Sequence, residues 1–301
     1  MIHWNRKQRL SAAAAALLAF TMSATAVRAE EAAATDEEGP NLGALSISID
    51  SAFTTAYMFR GIMVIRDGMI WQPTVELSLG LYGSEEGVVK SVDLGMGFWN
   101  SMHSQNLPGT MGTDGLLETD YYPSLSVTWK GGLTTGVSYY WYTSPNDSFQ
   151  TVEEADITLS YDDSELLGKF AMAPTATFAI ETKNSSYGTG KGSVVVLGIS
   201  PGTELKLPFE GADAYPLALT FPVNLGLSMD HYYDDGTQND AFGYATIGLH
   251  VGVPIACVPK RFGKWTLNNG FDVYFLDDAL ERTNNGDAVY PVWTSSISLE
   301  Y

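Results

Sequence analysis

Twelve stretches of this chain alternate apolar and polar residues one by one, and turn residues separate them. Successive side chains of a strand point to opposite faces. Each stretch is therefore a ribbon with one apolar face and one polar face. The clearest is Pro216 to Asp230, where Leu217, Leu219, Phe221, Val223, Leu225, Leu227 and Met229 share one parity. Ala218, Thr220, Asn224, Gly226, Ser228 and Asp230 share the other. The predicted strands are 44–59, 69–82, 91–100, 118–129, 133–142, 152–161, 170–181, 194–202, 216–230, 241–253, 265–276 and 289–301. In the first, Leu45, Ile47, Ile49, Phe53, Tyr57 and Phe59 oppose Ser46, Ser48, Asp50, Thr54 and Arg60.

Alternation alone does not separate a soluble sheet from a membrane barrel, because both alternate. The composition of each face decides. The expectation for the apolar parity is a face without Asp, Glu, Lys or Arg, since a lipid-facing Lys or Arg costs about 2–4 kcal/mol at mid-bilayer. The polar parity holds Gly, Ser, Thr, Ala and Tyr. Its acids are Asp50, Glu76, Asp93, Glu118, Asp120, Glu154, Asp156, Asp230, Asp272 and Glu300, and Arg60 is its base. A water-exposed face normally mixes both signs, whereas small polar residues with charge of one sign suit a confined wet lumen. Trp71, Trp99, Trp129, Tyr139, Trp141, Tyr161, Trp265, Trp293 and Tyr301 lie near segment ends, where amphipathic rings meet the two membrane interfaces. Backbone groups in lipid must all be paired, so an all-strand membrane protein must close on itself. The expected fold is all-β: a transmembrane, antiparallel, up-and-down barrel of about twelve strands covering residues 43–301. Pro73, Pro123, Pro174, Pro201, Pro216 and Pro222 should mark rims or bulges.

The connections alternate too. Those at 83–89, 130–132 and 162–168 are short, and those at 101–117, 182–192 and 277–287 are longer, as in outer-membrane barrels. An even strand count places both ends on the periplasmic side. The last strand ends in Trp293, Ile297, Leu299 and Tyr301 on one parity. A final amphipathic strand with a terminal aromatic resembles the signal read by the barrel-assembly machinery.

Residues 1–29 read as a cleaved export signal. Arg6, Lys7 and Arg9 precede the apolar run Ala12 to Phe20, and Val27 and Ala29 form a small-residue cleavage site. That run is shorter than the roughly 20 residues of a spanning helix. Residues 30–42 read as a flexible acidic periplasmic segment. The 35 Asp and Glu against 16 Lys and Arg argue against nucleic acid and for cations as partners. The lone Cys257 provides no disulfide framework or zinc motif.

The segment Ala56 to Ile62 leads into Asp67 to Pro73, and Tyr57, Phe59, Arg60, Gly61 and Gln72 make it resemble the first hairpin of the TorF-type porin family. The resemblance spans about 30 residues. It implies an outer-membrane barrel that conducts small solutes, without catalytic residues or cofactor. Read from the residues, Tyr57 and Phe59 face the interface, and Arg60 faces the lumen near the outer rim. Arg60 either ties strands together by pairing with carboxylates, Gly61 permitting the turn, or tunes a pore. The expected pore lining is Asp50, Arg60, Glu76, Asp93, Asp120, Asp156, Asp230 and Asp272.

These residues point to a passive, cation-biased channel in the bacterial outer membrane, with membrane lipid, small solutes and cations as its partners. No catalytic, cofactor or metal residues are assigned. A second reading is a non-conducting structural or surface-interaction barrel, its lumen filled by Tyr122, Tyr140, Tyr142, Tyr244 and Tyr274. A third is a lipid hydrolase using His103-Ser104, but adjacent residues in an extended chain point apart, and that pair is expected in a loop. His231 and His250 have no evident serine partner. The oxygen-rich stretch Asp230 to Asp240 could attract Ca²⁺ but lacks EF-hand spacing.

Overall fold

The computed structural model describes residues 44–104, 115–187, 190–206, 216–237 and 240–301. The expected export signal and acidic segment lie outside the described residues. The first strand, β1 (Leu45–Thr54), is followed by a short hairpin, β2 (Tyr57–Phe59) and β3 (Ile62–Ile65). Then come β4 (Ile70–Gly83), β5 (Val89–His103), β6 (Leu116–Trp129), β7 (Leu133–Thr143) and β8 (Val152–Tyr161). They are followed by β9 (Thr175–Lys183), β10 (Ser193–Ile199), β11 (Gly202–Leu205), β12 (Leu217–Thr220) and β13 (Val223–Asp230). The wall ends with β14 (Phe242–Pro254), β15 (Lys264–Leu276) and β16 (Val289–Glu300).

The wall is a closed antiparallel barrel of twelve staves. Each stave pairs with its sequence neighbour, and β1 pairs with β16 from Ser48↔Glu300 to Thr54↔Thr294. Among the described residues the short β11 pairs on one side only, with β12. Two staves are built in two pieces: β10 continues as β11 past Pro201, and β12 continues as β13 past Pro222. Proline has no N–H to give the ladder. The same reason explains Pro73 and Pro123, which sit within β4 and β6 rather than at rims. Pairing lapses on one side of each, between Trp71 and Thr74 against β5 and between Tyr121 and Ser124 against β7.

The hairpin β2–β3 pairs only with itself. The expected first strand, 44–59, therefore stops at Thr54. Its parity carries on through Tyr57 and Phe59, but these residues have left the wall. Two other boundaries differ from the expectation. β9 begins at Thr175 because Ser164–Leu167 and Gly168–Phe170 form helical turns. β5 runs on to His103.

The outward parity is apolar and exposed on every side of the barrel, as at Val137 (50%), Ile157 (48%), Ile247 (56%), Phe271 (50%) and Trp293 (56%). In water such a continuous band would be unstable. Glu153 and its cross-strand partner Lys183 depart from an uncharged outward parity. Glu153 stands at the loop end of β8, where Lys183 and the Tyr139 hydroxyl bond it. Trp99 also departs from the expected aromatic girdle, because it faces inward and is buried against Tyr57. The buried core thus lies inside the barrel, near the rim opposite the chain ends.

Candidate functional site: a plugged lumen above an acidic vestibule

The loop between β1 and β4 folds into the barrel and packs in the half remote from the chain ends. Its turn, Phe59-Arg60-Gly61-Ile62, has positive φ at both central residues, +44° at Arg60 and +83° at Gly61. That is the geometry of a two-residue hairpin turn. Arginine in this region costs about 1–2 kcal/mol, so surrounding contacts must hold it. Gly61 is required twice over. Its φ disfavours other residues, and a Cβ there would lie 2.8 Å from Leu280 Cδ1 and from Tyr244 Cβ.

The turn aims Arg60 at β8. Nη1 and Nη2 donate to the two oxygens of Glu154 at 2.7 and 2.8 Å, and Nη1 also donates to the Tyr232 hydroxyl at 2.8 Å. Asp156 lies 3.7 Å from Nη2. Tyr142 donates to Glu154 at 2.8 Å. The two-point pairing uses the planar guanidinium fork, which lysine lacks. Burial would lower the Arg60 pKa, but Glu154, Tyr232 and Asp156 outweigh it and hold it well above the usual arginine value.

Side chains, not a backbone ladder, anchor the rest of the plug. Tyr57 donates to Glu118 at 3.0 Å and packs on Trp99. Asn284 takes the Met63 N–H at 3.0 Å and gives its own to the Gly61 carbonyl at 3.1 Å. Tyr233 donates to the Arg60 carbonyl at 3.2 Å. Arg66 pairs with Asp287 and sits over the Tyr290 ring. Beneath the hairpin, Tyr122, Tyr140 and Tyr142 stack in succession at 4.8 and 5.4 Å. The Tyr122 ring lies where a side chain on Gly97 would stand. All three tyrosines and Tyr244 are buried, and Tyr274 stacks on Tyr244.

Toward the rim of the chain ends the inner wall turns polar and partly exposed. Glu76 accepts from Tyr122 at 2.6 Å, and Asp93 accepts from Ser91 at 2.8 Å. His250 Nε2 lies 3.0 Å from Asp272, both about a quarter exposed. Asn268 donates to Ser298 at 3.0 Å, and Asn224 to Thr246 at 3.1 Å.

The structure divides the expected pore lining. Asp50, Glu76, Asp93 and Asp272 line this vestibule. Arg60, Asp120 and Asp156 do not line water: they are buried at 5, 3 and 2% exposure in the packed layer. Asp230 is at the rim, with its side chain 72% exposed. Tyr57 and Phe59, expected at the interface, are fully inside. Sequence reasoning also missed Asn284, Leu280 and Tyr233 as plug anchors. The nearest signal was the apolar run Met63-Val64-Ile65, unusual for a loop in water.

The pair His103-Ser104 is separated at the end of β5, whose last residue is His103. His103 is buried inside, and Ser104 Oγ accepts the Met69 N–H at 3.0 Å. In the acidic outer loop, Asp234 takes the Gly236 N–H and Asp235 pairs with Arg282. Among the described residues no cluster of three or more His, Cys, Asp or Glu is placed to hold a metal ion.

No family model matches the chain, and no curated protein matches it. Solved structures of similar fold include an outer membrane channel from Pseudomonas putida F1, with a TM-score of 0.46 and 14% identity over 90% of this chain and 100% of that one. The NanC porin gives 0.44 and 10% over 84% and 98%. The beta domain of the Bordetella autotransporter BrkA gives 0.42 and 11% over 87% and 99%.

Proposed function

We propose that this chain is a bacterial outer-membrane channel held shut at rest by its own first outer loop. One observation carries the reading: the β2–β3 hairpin packs inside the barrel in the half remote from the chain ends, yet no wall strand takes it into its ladder. Side-chain anchors can release as a set, whereas a ladder strand cannot leave without opening the sheet. A twelve-stave lumen lies between the filled eight-strand and open 16-strand cases, so emptying this plug would leave a narrow pore. The vestibule below carries Asp50, Glu76, Asp93 and Asp272, and a carboxylate-lined cleft concentrates cations. The solutes are accordingly small cations and neutral molecules.

The outward apolar band supports a lipid surround, and the expected export signal and final strand support outer-membrane assembly. Of the five residues that carry the TorF-type resemblance, Tyr57, Phe59, Arg60 and Gly61 lie in the plug, and Gln72 lies in the wall strand β4. In this reading the passive channel expected from sequence becomes a closed one. Stacked Tyr122, Tyr140, Tyr142 and Tyr244 favour the alternative, a permanently solid barrel serving as a surface scaffold.

Planar-bilayer recordings separate the two. The full-length mature protein should be nearly silent. A variant with residues 57–65 replaced by a short Gly-Ser link should conduct, with a reversal potential favouring cations under a salt gradient. Silence from the folded plug-free barrel would establish the scaffold reading instead.

A further inference from the structure

Each arm of the plug ends on a pair of carboxyl groups two residues apart on one strand. Arg60 meets Glu154 and Asp156 on β8, and Tyr57 meets Glu118 on β6, two residues from Asp120. The first pair receives a full positive charge from the guanidinium. The second receives only a phenol, whose hydroxyl bonds Glu118 Oε2. Glu118 and Asp120 are 0 and 3% exposed. Their remaining oxygens, Glu118 Oε1 and Asp120 Oδ1, take no donor from any other described residue. Glu118 and Asp120 stand two residues apart on one strand, so their carboxyl groups face the same way into a site closed to water.

Among the described residues neither Glu118 nor Asp120 forms an ion pair, in contrast to Glu154 and Asp156. On β5, Ser101 lies across from Glu118 without bonding it, Trp99 lies across from Asp120, and His103 stands two residues beyond Ser101. On β7, Tyr142 faces Asp120. Tyr122 is the next inward residue of β6, and it holds Glu76 of β4. The guanidinium of Arg60 is committed to Glu154. Two ionised carboxylates in a dry site repel strongly, so one keeps its proton.

We propose that this proton is the latch of the plug. When it dissociates to solvent the pair passes from one negative charge to two, the site must take in water, and the Tyr57 arm lifts from the wall. The proton-bound form is the seated one, so seating is complete at neutral pH and is lost as pH rises through the titration of the pair. This rests on the plugged-channel reading.

Single-channel recording from pH 6 upward, stopping below about pH 10 where exposed tyrosines ionise, tests it. The open fraction of the wild type should climb by up to about tenfold per pH unit, the slope of one proton. In Asp120→Asn and Glu118→Gln the amide cannot ionise, so the climb with pH should vanish. A flat wild-type profile, or an unchanged climb in both amide variants, overturns the latch. The plug-free barrel should conduct independently of pH; if it is silent, the channel reading fails separately. Infrared spectroscopy reads the latch without conductance. A neutral buried carboxyl band at pH 7 should be present in the wild type and missing in Asp120→Asn, and its absence from the wild type overturns the proposal.

Discussion

The two halves of the lumen are built from the same strands by the same alternation, and they differ in what their inward residues meet. Near the chain ends, Asp272, His250, Asn268 and Ser298 bond neighbours on the wall and stay partly exposed. Near the loops, Glu118, Glu154 and Asp156 are buried by a segment that is not part of the wall. A carboxylate facing inward is thus a hydrated charge in one half and a docking point in the other. Alternation sets which way a side chain faces, while its energetic role depends on whether water or the plug stands opposite.

The largest effect should come from removing the charge that reconciles the plug with its acids. Arg60→Ala leaves Glu154 and Asp156 buried without their cation, and breaking a buried pair in this way costs about 3–5 kcal/mol. The heat-induced mobility shift on a gel should move to markedly lower temperature, and barrels that survive should leak in bilayers. Arg60→Lys should recover only part, because an ammonium cannot bond both Glu154 oxygens in one plane. Wild-type heat resistance in Arg60→Ala would mean the upper half is held by aromatic packing alone.

Gly61→Ala ranks next. Forcing a side chain into the left-handed region costs of order 1–3 kcal/mol, and this one would also displace Leu280. Because Leu280 lies in the loop after β15, the damage should include faster proteolysis of the segment 277–288. Equal proteolysis in both proteins would show that the turn and that loop are not coupled.

In the lower half the same kind of change should leave stability alone. Asp272→Asn removes a partly hydrated charge, so stability should stay within about 0.5 kcal/mol. Its effect belongs to permeation: in the plug-free barrel it should lower the cation preference. A stability loss as large as that of Arg60→Ala would erase the distinction between the halves.

The wall was legible in the sequence because period two over so many segments leaves little freedom, and lipid forbids an open edge. The plug was not, because Phe53, Tyr57 and Phe59 continue one parity across the point where the chain leaves the wall. Two signals mark the departure in hindsight. Arg60-Gly61 sits as a two-residue turn between apolar residues, and Met63-Val64-Ile65 needs a dry environment. The acids were assigned to the correct face, but Asp120 and Asp156 were expected to meet water because nothing in their own strands reveals what is folded against them. Distance along the chain hides such partners: Arg60 and Glu154 are 94 residues apart.

The smallest effect concerns the loop that backs the plug, where a single titration should be readable locally. Asp277 caps the helix Asp278–Thr283 by accepting the Leu280 N–H at 2.8 Å. Burial pushes its pKa up from 3.8 to about 6, against the lowering effect of that backbone bond. The folded loop therefore holds a proton more tightly than the unfolded chain does. The stabilisation is complete below pH 3.8 and is lost as pH rises through about 6. Acidifying from pH 7 to pH 5 should raise the exchange protection of the Leu280 amide, while amides of the lower wall stay unchanged. Asp277→Asn keeps an acceptor for Leu280 but removes the charge, so its protection should be high and level across that range. If the variant still followed the wild-type pH dependence, the titrating group would lie elsewhere. The support beneath Gly61 would then be set by packing of Leu280 rather than by the charge of its cap.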